Sequence, residues 1–207
     1  MNLHPVIRYL ALFVTCMILP LLANRALAAG TDDARQFVDN VGKQVVEVVN
    51  GSSGESEKQA KLRQLFITNV DIDWMAKFVL GQGWQKATAD QRTRYQQVYR
   101  DYLLARYTTN FADYTGSKYA LTDATNEEAG QFTVHMKIKA PNKGQENLLA
   151  GYRVKQENGA FKITDIIVEG VSLITTERSE FSSVLQQKGM DGLITAIEEK
   201  TKAAAAQ

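Results

Sequence analysis

The chain has 207 residues, with 24 basic and 23 acidic side chains, a formal net charge of +1, one cysteine and two histidines. Near-neutral charge gives no global attraction to nucleic acid or to an acidic surface. One cysteine and two histidines leave no disulfide framework and no His/Cys cluster to hold zinc.

The N-terminal stretch reads as a secretory signal peptide, residues 1–28. Arg8 precedes an apolar run from Tyr9 to Ala23, and Ala26-Leu-Ala28 supplies small residues for cleavage after Ala28, with Ala29 the alternative. Polar sequence follows at once, so the run is not a stop-transfer span. Cys16 lies inside the apolar run and not at its end, which argues against a lipid anchor. Cleavage removes Arg8 and Arg25 and no acid, and it takes away the cysteine and His4, leaving His135 as the remaining histidine. Residues 29–207 then form one domain, large enough to bury a core without covalent staples.

Thr31 is a candidate N-cap for a first helix, with Phe37, Val38, Val41, Val45, Val48 and Val49 at helical spacing. Gly51-Ser-Ser-Gly54 ends it. A second helix spans Glu55 to Ile67, burying Leu62, Leu65 and Phe66. Asp71 caps a short third helix, Ile72 to Leu80, which Gly81 stops. Thr88-Ala-Asp-Gln91 fits a capping box. It opens a long helix predicted from Ala89 to Asp113, whose apolar face is Tyr95, Val98, Tyr99, Tyr102, Leu103, Tyr107 and Phe111. A tyrosine-rich face suits either a core helix with hydroxyls at its rims or a wall facing something partly apolar and partly wet.

The period then changes to two. Strands are predicted at Tyr119–Thr125, Gln131–Ala140, Leu148–Gln156 and Phe161–Val168. Pro141-Asn-Lys-Gly144 is turn chemistry and Asn158-Gly159 a hairpin signal. His135 falls in the polar phase of its strand, an exposed position. After Gly170, helices are expected over Thr175–Lys188 and Asp191–Lys200, with Thr175 and Thr176 as candidate caps. Asp165 and Glu169 border a strand end and read as capping or ion-pair groups. Helices, then a meander, then helices define an α+β class, with the long helix expected to cross four antiparallel strands.

Two blocks carry a family resemblance. Val79-Leu-Gly-Gln82, Ala87-Thr-Ala-Asp-Gln-Arg92, Tyr102-Leu103, Tyr107 and Tyr114-Thr-Gly116 form one. Asp165-Ile-Ile-Val-Glu-Gly-Val-Ser-Leu-Ile-Thr-Thr176, Glu180-Phe181 and Lys188-Gly-Met-Asp-Gly-Leu193 form the other. Their order and spacing over Asp71 to Lys200 resemble the MlaC, or toluene-tolerance, family of periplasmic phospholipid carriers. The region before Asp71 is similar only in its helical character.

The resemblance implies a fold like nuclear transport factor 2: a four-stranded antiparallel sheet with N-terminal helices and two C-terminal helices enclosing an apolar lipid cavity. It implies a monomeric periplasmic shuttle with no catalytic residues, cofactor or metal, and no nucleic-acid partner. The implied partners are a diacyl glycerophospholipid, an outer-membrane lipoprotein complex, and an inner-membrane ABC transporter complex with an MCE-domain subunit. A hopanoid-associated branch looks similar and leaves the lipid open.

A diacyl lipid buries roughly thirty methylenes at about 0.8 kcal/mol each, so acyl burial outweighs any head-group contact. The apolar positions expected to wall such a cavity are Val79, Leu80 and Trp84; Tyr99, Tyr102, Leu103, Tyr107 and Phe111 on the long helix; Val134, Met136, Tyr152, Ile163 and Val168 on the strands; and Val171, Leu173, Phe181 and Leu185 beyond. Two other readings stay open. One is an isomerase- or dehydratase-like enzyme using Asp165 with a tyrosine. The other is an exported adaptor with a solid core.

Overall fold

Valines set at steps of three and four along residues 30–50 give the first helix, α1, a single apolar face. The computed structural model describes residues 30–109, 114–128, 130–141 and 144–205. The signal-peptide expectation falls on residues 1–29, outside the described residues. Helix α2 spans Glu55–Asn69, α3 Ile72–Leu80, α4 Gln82–Lys86 and α5 Ala89–Tyr107. Strands β1 Lys118–Glu128, β2 Gln131–Ala140, β3 Gln145–Glu157, β4 Ala160–Val168 and β5 Val171–Ser172 follow, then α6, Leu173–Ala205.

The caps explain several of these boundaries. Asp71 Oδ1 accepts from the Trp74 amide at 3.0 Å, and the capping box is complete, with Thr88 Oγ1 accepting from Gln91 N and Gln91 Oε1 from Thr88 N. Helix α5 ends earlier than its spacing predicts: its last turn closes at Thr108, whose amide and hydroxyl both donate to Leu104 O. Short α4 occupies Gln82–Lys86, between the Gly81 stop and the Thr88 cap, where the sequence predicts no element.

The sheet is an antiparallel meander in the order β1-β2-β3-β4-β5, so it has five strands where four are expected. The reason is the Glu169-Gly170 turn. Both residues have positive φ, 49° and 80°, the geometry of a two-residue hairpin that folds Val171 back on Val168. Asn158 and Gly159, at 50° and 79°, make the same turn between β3 and β4, as expected. Register shifts interrupt the β1–β2, β2–β3 and β3–β4 ladders, the irregularities that bend and twist strands.

Ser172, and not Thr175 or Thr176, caps α6: its hydroxyl accepts from Thr175 N at 3.2 Å, because the tight turn starts the helix at Leu173. The helical path breaks at Gly189, where φ is 68° and ψ −173°, so the C-terminal arm is two helical segments.

The long tyrosine helix does not cross the strands. It packs on α6 and α3, because Tyr95, Tyr99, Tyr102 and Leu103 insert there. Tyr95 and Tyr99 are fully buried, and Tyr99 meets the edge of Phe181. The Tyr95 hydroxyl donates to Ala76 O at 3.0 Å and that of Tyr99 to Glu177 at 2.7 Å. This half of the molecule is filled core. The other half, where α1 and α2 stand over the sheet, is not.

Candidate apolar ligand cavity

A cavity of about 300 Å³ lies between the α1–α2 hairpin and the sheet. From α1 it receives Val38, Val41, Val45, Val46 and Val49, and from α2 Leu62, Leu65 and Phe66. Met136, Ile138, Tyr152, Ile163 and Ile166 reach it from the strands. The residues that carry polar groups into it, Asn50, Asn69, Thr109, Tyr114, Ser117 and Lys118 among them, belong to the helix ends and the approach to β1.

Local chemistry holds the hollow open. A Cβ on Gly42 would come within 2.8 Å of the Tyr119 ring, so glycine there lets α1 lie against β1. The Tyr119 hydroxyl donates to the Asp39 carbonyl at 2.9 Å, and burial with the Asp39 bond pushes its pKa up to about 12. Asn50 Oδ1 accepts from Gly116 N at 2.7 Å, tying the end of α1 to the start of β1. On the opposite wall Phe66 stacks on Tyr107 with centroids 5.9 Å apart. Asp71 N donates to Ile163 O at 2.9 Å, fastening the α2–α3 link to β4.

Tyr107 is the point where filled core and cavity meet. Burial raises its pKa and those of Tyr95 and Tyr99, and carries Tyr102 to about 12. Glu177, buried against Tyr99, has its pKa raised by desolvation, opposed by the Tyr99 hydrogen bond and by Arg106.

Of the residues singled out in the sequence, Tyr107, Met136, Tyr152 and Ile163 line this cavity. Val79, Tyr99, Leu103, Val134 and Phe181 sit in the filled core, each at most 1% exposed, with Tyr102 beside them. Leu80 and Leu185 border a separate hollow between α3–α4 and α6. Trp84 is held between Lys77 and Arg92, whose charges lie 5.6 and 5.4 Å from its ring. Val168 and Leu173 are half-buried near the β4–β5 turn, and Val171 is 56% exposed at the sheet edge. Phe111 lies outside the described residues. The valines of α1 and the Leu62-Leu65-Phe66 face of α2 have no ligand role in the sequence reading. The signal was present: a helix face built almost wholly of valine, a residue that helices do not favour.

The fold is thus a helical hairpin set over an antiparallel sheet with an apolar hollow between them. The chain belongs to the MlaC family: the family's sequence model, described as MlaC protein, matches residues 39–199. That match takes in most of α1 and all of α2, beyond the span over which the motifs are recognisable. Toluene tolerance protein ttg2D of Pseudomonas putida is 24% identical over 123 residues, 59% of this chain and 56% of that protein. The intermembrane phospholipid transport system binding protein MlaC of Haemophilus influenzae is 21% identical over 141 residues, 67% of this chain and 65% of that protein. In both cases the matched region is less than two thirds of the relative's length. A phospholipid-binding protein from Ralstonia solanacearum, solved in complex with a phospholipid, shares the fold with a TM-score of 0.72 at 20% identity, over 83% of this chain and 98% of that one.

Proposed function

We propose that this protein is a periplasmic phospholipid carrier that takes acyl chains into the cavity between α1–α2 and the sheet, and acts without catalysis. The observation that carries the reading is the cavity itself, walled mainly by valine, leucine, isoleucine and phenylalanine side chains, with its few polar residues at helix ends and on the approach to β1. Burying acyl methylenes there is favourable by about 0.8 kcal/mol each. Family membership and the names of the relatives support phospholipid as the occupant. Its volume is at the small end of ligand pockets, so a second chain requires α1–α2 to move outward. A carrier of this kind moves lipid between an outer-membrane lipoprotein complex and an inner-membrane ABC transporter complex with an MCE-domain subunit, maintaining outer-membrane lipid asymmetry. Its docking at each is brief, through small interfaces.

The test is organic extraction and mass spectrometry of the purified protein. Glycerophospholipid of the expression host should be recovered in stoichiometric amount. Extracts with no lipid above a control protein of similar size overturn the proposal.

A further inference from the structure

A second hollow, of about 460 Å³ and mixed polarity, adjoins the apolar cavity and shares Tyr107, Thr109 and Tyr114 with it. Its remaining walls are Tyr102 and Arg106 of α5 and Lys200, Ala203 and Ala204 of α6. Two cationic side chains therefore stand in a hollow that adjoins the apolar cavity.

Arg106 is fixed in place. Its Nη1 donates to the Tyr102 hydroxyl at 3.0 Å and its Nε to that of Tyr107 at 3.1 Å, with the guanidinium 5.9 and 5.7 Å from the two rings. Those two bonds use two of the five guanidinium N–H groups. Among the described residues no carboxylate forms an ion pair with Arg106. Lys200 pairs with Glu180 at 2.6 Å, and Glu177 is engaged by Tyr99 at 2.7 Å. In the wall of the apolar cavity, the hydroxyl of Ser117, a residue only 8% exposed, is buried with no hydrogen-bond partner among the described residues. Apolar walls, a buried hydroxyl and an arginine in the adjoining hollow complement the acyl chain, ester and phosphate of an amphiphile.

We propose, on the basis of the carrier reading above, that Arg106, assisted by Lys200, binds the phosphodiester of a glycerophospholipid whose chains fill the cavity, with Ser117 meeting an ester oxygen. An arginine that touches phosphate reads neither ethanolamine nor glycerol. The site therefore accepts glycerophospholipids with different head groups and discriminates against lipids of the same chains without phosphate.

The experiment uses the delipidated protein and displacement of a fluorescent apolar probe by dioleoyl phosphatidylglycerol, dioleoyl phosphatidylethanolamine or dioleoylglycerol. Both phospholipids should compete about tenfold or more better than dioleoylglycerol. Arg106→Gln should bring the three close to parity with dioleoylglycerol competition unchanged, and Lys200→Met should reduce the preference by a smaller factor. Lys200→Met also serves if Arg106→Gln does not fold. Millimolar inorganic phosphate should neither displace the probe nor shift the melting temperature. Equal competition by all three lipids in the unaltered protein overturns the phosphate site and leaves the carrier reading standing. Failure of every lipid to compete overturns the carrier reading. Saturable binding of inorganic phosphate without a lipid preference overturns the head-group assignment in favour of a free-phosphate site.

Discussion

The phenolic hydroxyl of Tyr99 donates to the buried carboxylate of Glu177 at 2.7 Å, joining α5 to α6 across 78 residues of sequence. Desolvation is the largest influence on Glu177 and raises its pKa, with Glu180 adding to the rise and Tyr99, Arg106 and Tyr102 opposing it. The folded chain therefore holds this proton more tightly than the unfolded chain. Stability from the group is fully present below the unfolded value, 4.5, and is lost as pH rises through the folded value. Glu177→Gln keeps an acceptor for Tyr99 and has no charge to desolvate. Melting temperatures from about pH 4 to about pH 8 should show the variant gaining on the parent as pH rises, then levelling off. A constant offset at all pH values would contradict the assignment.

Bulk separates cavity from core. Val45→Trp places a ring in the space between α1, α2 and the sheet, and should reduce co-purified lipid severalfold while the protein stays folded. Val134 is fully buried, so Val134→Trp should overpack and destabilise by about 1–3 kcal/mol or more. Val171 is 56% exposed, and Val171→Trp should leave stability within about 0.5 kcal/mol and lipid content unchanged. Calorimetry and lipid extraction on the same preparations check all three.

Asp165 is fully buried and organises the start of α6. It accepts from Arg153 at 3.0 Å, from the Ser172 hydroxyl at 2.7 Å and from the Ile174 amide at 3.2 Å. Removing the carboxylate in Asp165→Ala leaves the buried Ile174 amide without its acceptor and Arg153 without its ion-pair partner, and should destabilise by on the order of 3 kcal/mol in urea unfolding. These three bonds account for the residue structurally.

Gly189 adopts φ 68° and ψ −173°, a region that residues with a Cβ avoid. No atom lies within 4 Å of the place where its Cβ would be, so any cost of Gly189→Ala is conformational and not steric contact. The substitution should lower stability by about 1–3 kcal/mol. An unchanged melting temperature would mean the two arms of α6 can adjust their angle freely.

Much of the fold was written locally. Asp71, Thr88 and Gln91 mark helix starts because a side-chain acceptor there satisfies amides that nothing else reaches. Alternation from Gln131 to Ala140 marks β2 because one face is buried, and Asn158-Gly159 forms its hairpin because both residues tolerate positive φ. Glu169-Gly170 was less legible, since glutamate is an unusual residue at positive φ. It is held there by its own bonds to Leu149, through its backbone amide and through Oε1, which only the folded sheet supplies.

The sequence alone therefore determined the α+β class, the helix–meander–helix order, the Asn158-Gly159 turn and the family, all of which depend on neighbours in the chain or on motifs, and it missed α4 and β5. It did not determine where the empty space lies. Tyrosine on α5 and valine on α1 are both apolar faces at helical spacing, and spacing reports that a face is covered without reporting by what. The tertiary structure decided that α6 fills the space beside Tyr95, Tyr99 and Leu103, whereas a hollow is left beside Val41 and Val45. A void is a property of the distance between two surfaces, and that distance is set by residues far apart in the chain.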